Sequence, residues 1–180
     1  MNFKYIMLFI LLLLLAGCVD NGDTSQGQLS VNKEQSTSVS KNTDNQFAPP
    51  IEFTGNKGEK VVINNDEILL DSSKFENNLV KYYNTTLPDG KKAYFFVVKD
   101  SLGKYRAAAN ACQVCFDARM GFRQEGNFMV CNTCGNKYPL EKIATEKGGC
   151  NPGPINPNLE VENGNVVIRQ SDLEQVVNLF

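Results

Sequence analysis

The hydrophobic pattern divides the chain into three textures. The first is an unbroken apolar run from Tyr5 to Ala16, preceded by the cation Lys4, and fourteen of the first seventeen residues are apolar. That run is shorter than the ~20 residues needed to cross a hydrocarbon core of ~30 Å. Small residues close it at Ala16-Gly17, so residues 1–17 read as a secretory signal peptide. From Val19 to Pro50 the chain is mostly Asn, Ser, Thr, Gln, Asp and Gly, with Val19, Leu29, Val31, Val39, Phe47 and Ala48 as the apolar interruptions. No period of 2 or 3.6 survives there, and so little apolar surface cannot offset chain entropy. Residues 18–50 are therefore expected to form a disordered stalk with a reach on the order of 30 Å.

After Pro50 short strands alternate with turns. Val61-Val62-Ile63 and Ile68-Leu69-Leu70 flank Asn64-Asn65-Asp66, which predicts two strands around a turn. Leu79–Thr86 alternates as a strand, and Leu87-Pro88-Asp89-Gly90-Lys91 reads as a hairpin turn into Ala93–Lys99. Asp100-Ser101-Leu102-Gly103 is a second turn, and Lys104–Ala109 leads towards Cys112. Phe128-Met129-Val130 predicts another strand, and Asn163-Gly164 predicts a hairpin between Leu159–Glu162 and Val166–Ile168. Ser171-Asp172-Leu173-Glu174 has the form of a capping box for one short terminal helix, with Leu173, Val176, Val177 and Phe180 on its apolar side. The expectation is a mainly β fold: a small antiparallel β domain over residues 51–180, closed by a short C-terminal helix. Tyr82, Tyr83, Tyr94, Phe95 and Phe96 are expected to be core and cross-strand packing.

Composition narrows the chemistry. The chain has no histidine, which removes Ser-His-Asp and Cys-His nucleophiles, His-ligated haem, mixed Cys/His zinc fingers and His-bearing Rieske sites. Eighteen cations against twenty acids give a net charge of −2, with no basic footprint, so a nucleic-acid partner is not expected. No phosphate-binding loop, paired-carboxylate constellation or nucleophile motif is present.

The cysteines carry the candidate chemistry. Cys112-x-x-Cys115 and Cys131-x-x-Cys134 are separated by fifteen residues. Two residues between cysteines let one tight loop aim both sulfurs at a point, and two such loops supply four thiolates, a set that suits zinc or iron. Gly135 follows Cys134, where a loop turning its N–H groups towards sulfur needs positive φ. Cys150 lies sixteen residues further on, within the Gly/Pro stretch Gly148–Pro154, which is placed to fold over the site. It is an additional candidate ligand, a redox thiol or a small buried hydrophobe. Three readings of the paired cysteines stay open: a structural zinc site, an iron–sulfur centre, or disulfide and thiol-redox chemistry. Between residues 104 and 150, seven cations stand against four acids, an excess that would partly offset bound thiolates.

Leu15-Ala16-Gly17-Cys18 resembles the lipobox of bacterial lipoproteins. That resemblance implies cleavage before Cys18, lipid on its sulfur, export, and anchoring in the membrane lipid on the extracytoplasmic face. A second resemblance rests on Phe95–Asp100, Arg106-Ala107-Ala108, Cys112-x-x-Cys115, Gly121–Gly126, Cys131–Asn136 and Gly148–Pro152. Over about residues 75–155 these segments resemble the FtrD-like family of membrane iron–sulfur proteins, named for a component of bacterial iron-uptake operons. The resemblance implies an iron–sulfur cofactor held by Cys112, Cys115, Cys131 and Cys134, and a one-electron carrier linked to iron uptake with redox proteins as partners. Family members usually carry several membrane-spanning helices ahead of this domain, whereas here the lipid anchor and stalk precede it. The order of elements is also similar to Rieske-type domains, with Cys112 and Cys131 as the loop cysteines, Cys115 and Cys134 in place of histidines, and Gly148–Pro154 as the cover. A rubredoxin or zinc-ribbon arrangement is the rival, which Cys134-Gly135 and Tyr138 would suit. The expected cofactor is a [2Fe–2S] cluster, with zinc as the alternative. The competing functions are a zinc-stabilised docking domain and a thiol–disulfide redox protein.

Overall fold

The computed structural model describes residues 51–76 and 78–180, and these form three small sheets. The first has five strands: β1 (Glu59–Lys60), β3 (Lys81–Thr86), β4 (Lys92–Lys99), β5 (Tyr105–Cys112) and β9 (Pro152–Asn156), in that spatial order. The second sheet is β10 (Val161–Glu162), β11 (Asn165–Arg169) and β2 (Glu67–Asp71). The third is β6 (Phe122–Glu125), β7 (Phe128–Cys131) and β8 (Lys137–Pro139). A five-residue helix, α1 (Gln170–Glu174), and a final 3-10 turn over Val177–Leu179 complete the chain. The fold is mainly β, as the residue pattern implies, and every pairing except the parallel β1–β3 contact is antiparallel.

Successive side chains of a strand point to opposite faces, and in β4 and β5 both faces are buried. On one face Phe95 and Val97 join Ala107, Ala109 and Ala111 in a core with Ile68, Leu70, Val166 and Ile168 of the second sheet and Leu173 of α1. On the other, Phe96, Val98, Ala108 and Cys112 meet Phe122, Met129 and Cys131 of the third sheet, with Leu140 and Ile143. This double burial explains the near-continuous apolar runs of the two strands. The pairing sets large against small, with Phe95 opposite Ala109, Phe96 opposite Ala108 and Val97 opposite Ala107. Alanines leave room for the aromatic rings without voids. Tyr83, Tyr94, Phe95 and Phe96 are buried and Tyr82 half-buried, so the aromatic cluster is packing, as expected.

The turn between β4 and β5 is organised by a buried carboxylate. Asp100 Oδ1 accepts from the N–H groups of Leu102 (2.9 Å) and Lys104 (2.8 Å), and its Oδ2 meets Arg106 Nε at 2.9 Å. Gly103 supplies the positive φ of 77° that closes the turn.

Four expectations need correction. Val61–Ile63 forms no strand: Asn65 and Asp66 both turn through positive φ, a lone bridge joins Asn64 to Glu67, and Val61 N–H donates to Asn84 O instead. β2 finds its partner far away in β11, where Ile68 faces Ile168. The capping box does not form, because Gln170 N–H donates to Asp66 O at 2.8 Å and the helix starts there, leaving Ser171 inside it and no side-chain cap. Gly148–Pro154 is not wholly a loop: from Pro152 it is β9, whose two prolines are tolerated on an edge strand with a shifted register.

Asn110 fastens the first sheet to the third. It is wholly buried, its Nδ2 donates to Asn56 O at 2.9 Å, and its Oδ1 accepts from Phe122 N at 2.7 Å. Gly121 is required beside it, since a Cβ there would lie 2.6 Å from Asn110 Oδ1. Asn110→Ala orphans the buried Phe122 N–H and frees the carbonyl of the exposed Asn56, and should lower the unfolding free energy by about 1–3 kcal/mol. The expected result in urea titration is a lower midpoint at an unchanged slope.

Candidate metal centre

Two strand ends deliver the first two sulfurs. Cys112 is the last residue of β5 and Cys131 the last of β7, and both are buried. Beyond Cys112 the chain turns so that Cys115 N–H donates to Cys112 Sγ at 3.3 Å, and the 3-10 turn Phe116–Ala118 follows. Beyond Cys131 the turn is tighter. Gly135 N–H donates to Cys131 O at 2.9 Å, Cys131 N–H donates to Asn136 O at 2.9 Å, and Gly135 holds φ at 75°. No atom lies near the space a Gly135 side chain would take, so glycine is needed for its backbone angle and not for room. In this loop the N–H groups of Thr133 and Cys134 point at Cys131 sulfur, and that of Asn136 at Cys134 sulfur.

The third segment is the loop before β9. Gln113 N–H donates to Asn151 O at 3.0 Å, Gly148 N–H donates to Gln113 Oε1 at 3.1 Å, and the Cys112 thiol donates to Cys150 O at 3.3 Å. The stretch thus folds over the first cysteine loop, and it brings Cys150 with it.

The four paired cysteines expected as ligands and the additional candidate Cys150 come together. The sulfurs of Cys112, Cys115 and Cys131 lie within 4.8 Å of one another, as do those of Cys115, Cys134 and Cys150. Cys115 belongs to both groups and so joins an inner set to an outer one. Burial grades the site: Cys112 and Cys131 are buried, Cys115 and Cys150 half-buried, and Cys134 exposed. Cys18, with the expected signal peptide and stalk, lies outside the described residues.

The thiols titrate unequally. Burial holds the Cys115 thiol above its ordinary range, reinforced by the adjacent Cys112 sulfur. Burial also raises Cys131, against the pull of its two N–H donors. Cys134 is lowered, chiefly by the Asn136 N–H. Cys150 is raised, first by its hydrogen bond with Cys134 and then by burial. Five of the seven basic residues between positions 104 and 150 are engaged away from the sulfurs. Arg106 pairs with Asp100, Arg123 and Lys137 with Glu125, and Lys142 with Glu146, while Arg119 donates to Leu179 O. Backbone dipoles serve the thiolates instead.

An all-sulfur donor set suits a soft or borderline metal such as zinc or the iron of an iron–sulfur cluster. Residues 75–180, more than half of the chain, match the family described as "Membrane iron-sulfur containing protein FtrD-like". The chain belongs to the FtrD-like family. The segment matched takes in all five cysteines of the site and extends past the resembling stretch to the last residue. No curated protein matches the FtrD-like chain in sequence. Among solved structures, the quaternary ammonium Rieske monooxygenase CntA in complex with an inhibitor is similar at 12% identity and a TM-score of 0.39, over 64% of this chain and 32% of that one. The FtrD-like chain therefore spans about a third of that protein's length. Among the described residues no helix is long and apolar enough to cross a membrane.

Sequence reasoning missed the supports of the site. Gln113 and Asn110 are single polar residues with no marking pattern, and the Asn136 contribution comes from its backbone. Only the glycine after Cys134 signalled a loop that turns N–H groups towards sulfur.

In the reduced, metal-free protein, Cys134 is exposed and its thiol lowered, so it holds more thiolate at a given pH than Cys115. Iodoacetamide followed by peptide mapping should label Cys134 first, with Cys112 and Cys131 last. The pH midpoint for labelling Cys134 should lie below that for Cys115.

Proposed function

We propose that this protein is a membrane-tethered one-electron carrier that holds a [2Fe–2S] cluster on Cys112, Cys115, Cys131 and Cys134 and serves iron uptake. The observation that carries the reading is the convergence of these sulfurs at the ends of two strands, with N–H donors aimed at them, in a chain of a membrane iron–sulfur family. The order of elements, with β5, a cysteine pair, the β6–β7 hairpin, a second pair, the proline-bearing β9 and a closing hairpin, supports a Rieske-like arrangement in which cysteine replaces histidine. Tethering rests on Cys18, which would carry the lipid that keeps the domain at the extracytoplasmic face of the membrane.

When bound, such a cluster supplies reversible one-electron reduction. The protein's own groups do the rest. Cys112 and Cys131 shield one side of the site, while the exposed Cys134 brings the other side to the surface, where a redox partner can approach. Exposed Val114 lies within the first loop and gives this face an apolar contact. The N–H donors to Cys131 and Cys134 stabilise negative charge on sulfur without adding a cation.

Four thiolates stabilise the oxidised state more than two thiolates and two imidazoles do. The midpoint potential should therefore lie nearer the roughly −400 mV of plant-type ferredoxins than the roughly −150 to +300 mV of histidine-ligated centres. Anaerobically purified chain should be brown, absorb at about 400–550 nm, and carry about two irons and two acid-labile sulfides. A colourless protein with one zinc would replace this reading by the docking-domain one. A metal-free protein with two disulfides would make it a thiol–disulfide protein.

A further inference from the structure

Four sulfurs complete a tetrathiolate site, yet the fold assembles five. The position of the fifth is constructed by several independent features. Gly148 and Gly149, immediately before Cys150, both take left-handed angles, with φ of 84° and 63°. Neither has any atom near the space a side chain would fill, so two successive glycines serve the path of the backbone. Asn151 Nδ2 donates to Gly148 O at 2.8 Å and tightens that path, while Gln113 Oε1 accepts from Gly148 N–H and Asn151 O accepts from Gln113 N–H. The residue that holds the loop therefore sits inside the first Cys-x-x-Cys pair.

The two sulfur groups then divide the roles. Cys150 sulfur is within 4.8 Å of Cys115 and Cys134, and its group does not include Cys112 or Cys131. We propose that Cys150 is a reserve ligand of the outer half of the metal centre, taking the place of Cys115 or Cys134 when either is lost or displaced. This rests on the reading that the four paired cysteines hold a metal centre. Cys150 meets the inner pair through its backbone, where its carbonyl accepts from the Cys112 thiol at 3.3 Å, while its sulfur groups with Cys115 and Cys134 alone. In the exchange the incoming Cys150 thiol gives up one proton as its sulfur binds, and the displaced sulfur takes one up, so neither oxidant nor reductant is consumed. The arrangement places a spare thiol beside Cys134, the most exposed ligand and the one most open to attack.

The test is to prepare the full chain and its alanine variants anaerobically, then measure metal and sulfide per chain and the absorption spectrum. Cys150→Ala should match the parent protein. Cys115→Ala and Cys134→Ala should each keep metal within about twofold of the parent. Cys112→Ala, Cys131→Ala, and either outer variant combined with Cys150→Ala should lose metal about tenfold or more. Alkylation of the loaded proteins with peptide mapping gives a second readout that needs no double variant to fold. Cys150 should be labelled in the parent and protected in Cys115→Ala and Cys134→Ala.

Protection of Cys150 in the parent would make it a permanent ligand and overturn the proposal. Loss of metal from the single outer variants, or Cys150 labelled in variants that keep metal, would also overturn it. Each of these leaves the tetrathiolate reading standing. A parent protein that binds no metal under any loading would sink both.

Discussion

A buried side-chain amide must find its partners inside the protein, and those that Asn110 finds determine how the cysteine-bearing segments meet. One end grips Phe122 at the start of the third sheet, the other the carbonyl of Asn56 on the segment ahead of β1. Asn110 stands two residues before Cys112 on the same face of β5, and Phe122 pairs with Cys131 across β6 and β7. The bond from Phe122 N–H to Asn110 therefore sets the separation of the two cysteine-bearing strand ends. Without it, each loop would keep its own turn but not its aim. The closeness of Gly121 to Asn110 belongs to the same constraint, since any side chain there would push the third sheet away.

The site manages negative charge with dipoles. Arg123, Lys137 and Lys142 nearby are paired with carboxylates, and the buried ion pair Asp100–Arg106 organises a hairpin at the far end of β5. N–H groups held in a tight turn bring partial positive charge to sulfur at fixed positions. They need no long side chain to be ordered and no charge to be desolvated. This is why the loop after Cys131 is built around Gly135, whose left-handed angle turns successive N–H groups inward. It also explains why Cys134, exposed as it is, holds its proton less tightly than the sheltered Cys115.

Burial along the centre falls from Cys112 and Cys131 through Cys115 to Cys134. The inner sulfurs are part of a packed apolar cluster with Phe96, Phe122 and Met129, so they are as fixed as any core residue. The outer sulfurs sit on turns. The five sulfurs thus combine rigid inner positions with an accessible outer edge. The glycine-rich loop ahead of β9 lies over this outer half, tied to the first cysteine loop through Gln113.

The sequence by itself determined the strands with strong alternation, the turns at Asp89-Gly90, Asp100–Gly103 and Asn163-Gly164, and the identity of the sulfur donors, because all of these depend on neighbours a few residues apart. It also carried the family, through segments spread across the domain. It did not reveal that Val61–Ile63 would be drawn to β3 instead of pairing with β2, or that Gln170 would open the helix by bonding to Asp66. Nor did it mark β9, whose prolines read as a loop until an edge position made them harmless. Only the tertiary structure decided that Cys150 joins the outer sulfurs, that the inner pair is sealed by the second face of β4 and β5, and that Asn110 fixes the spacing. Each of these brings together groups remote in the chain, and their meeting depends on register and sheet packing, which no local pattern encodes.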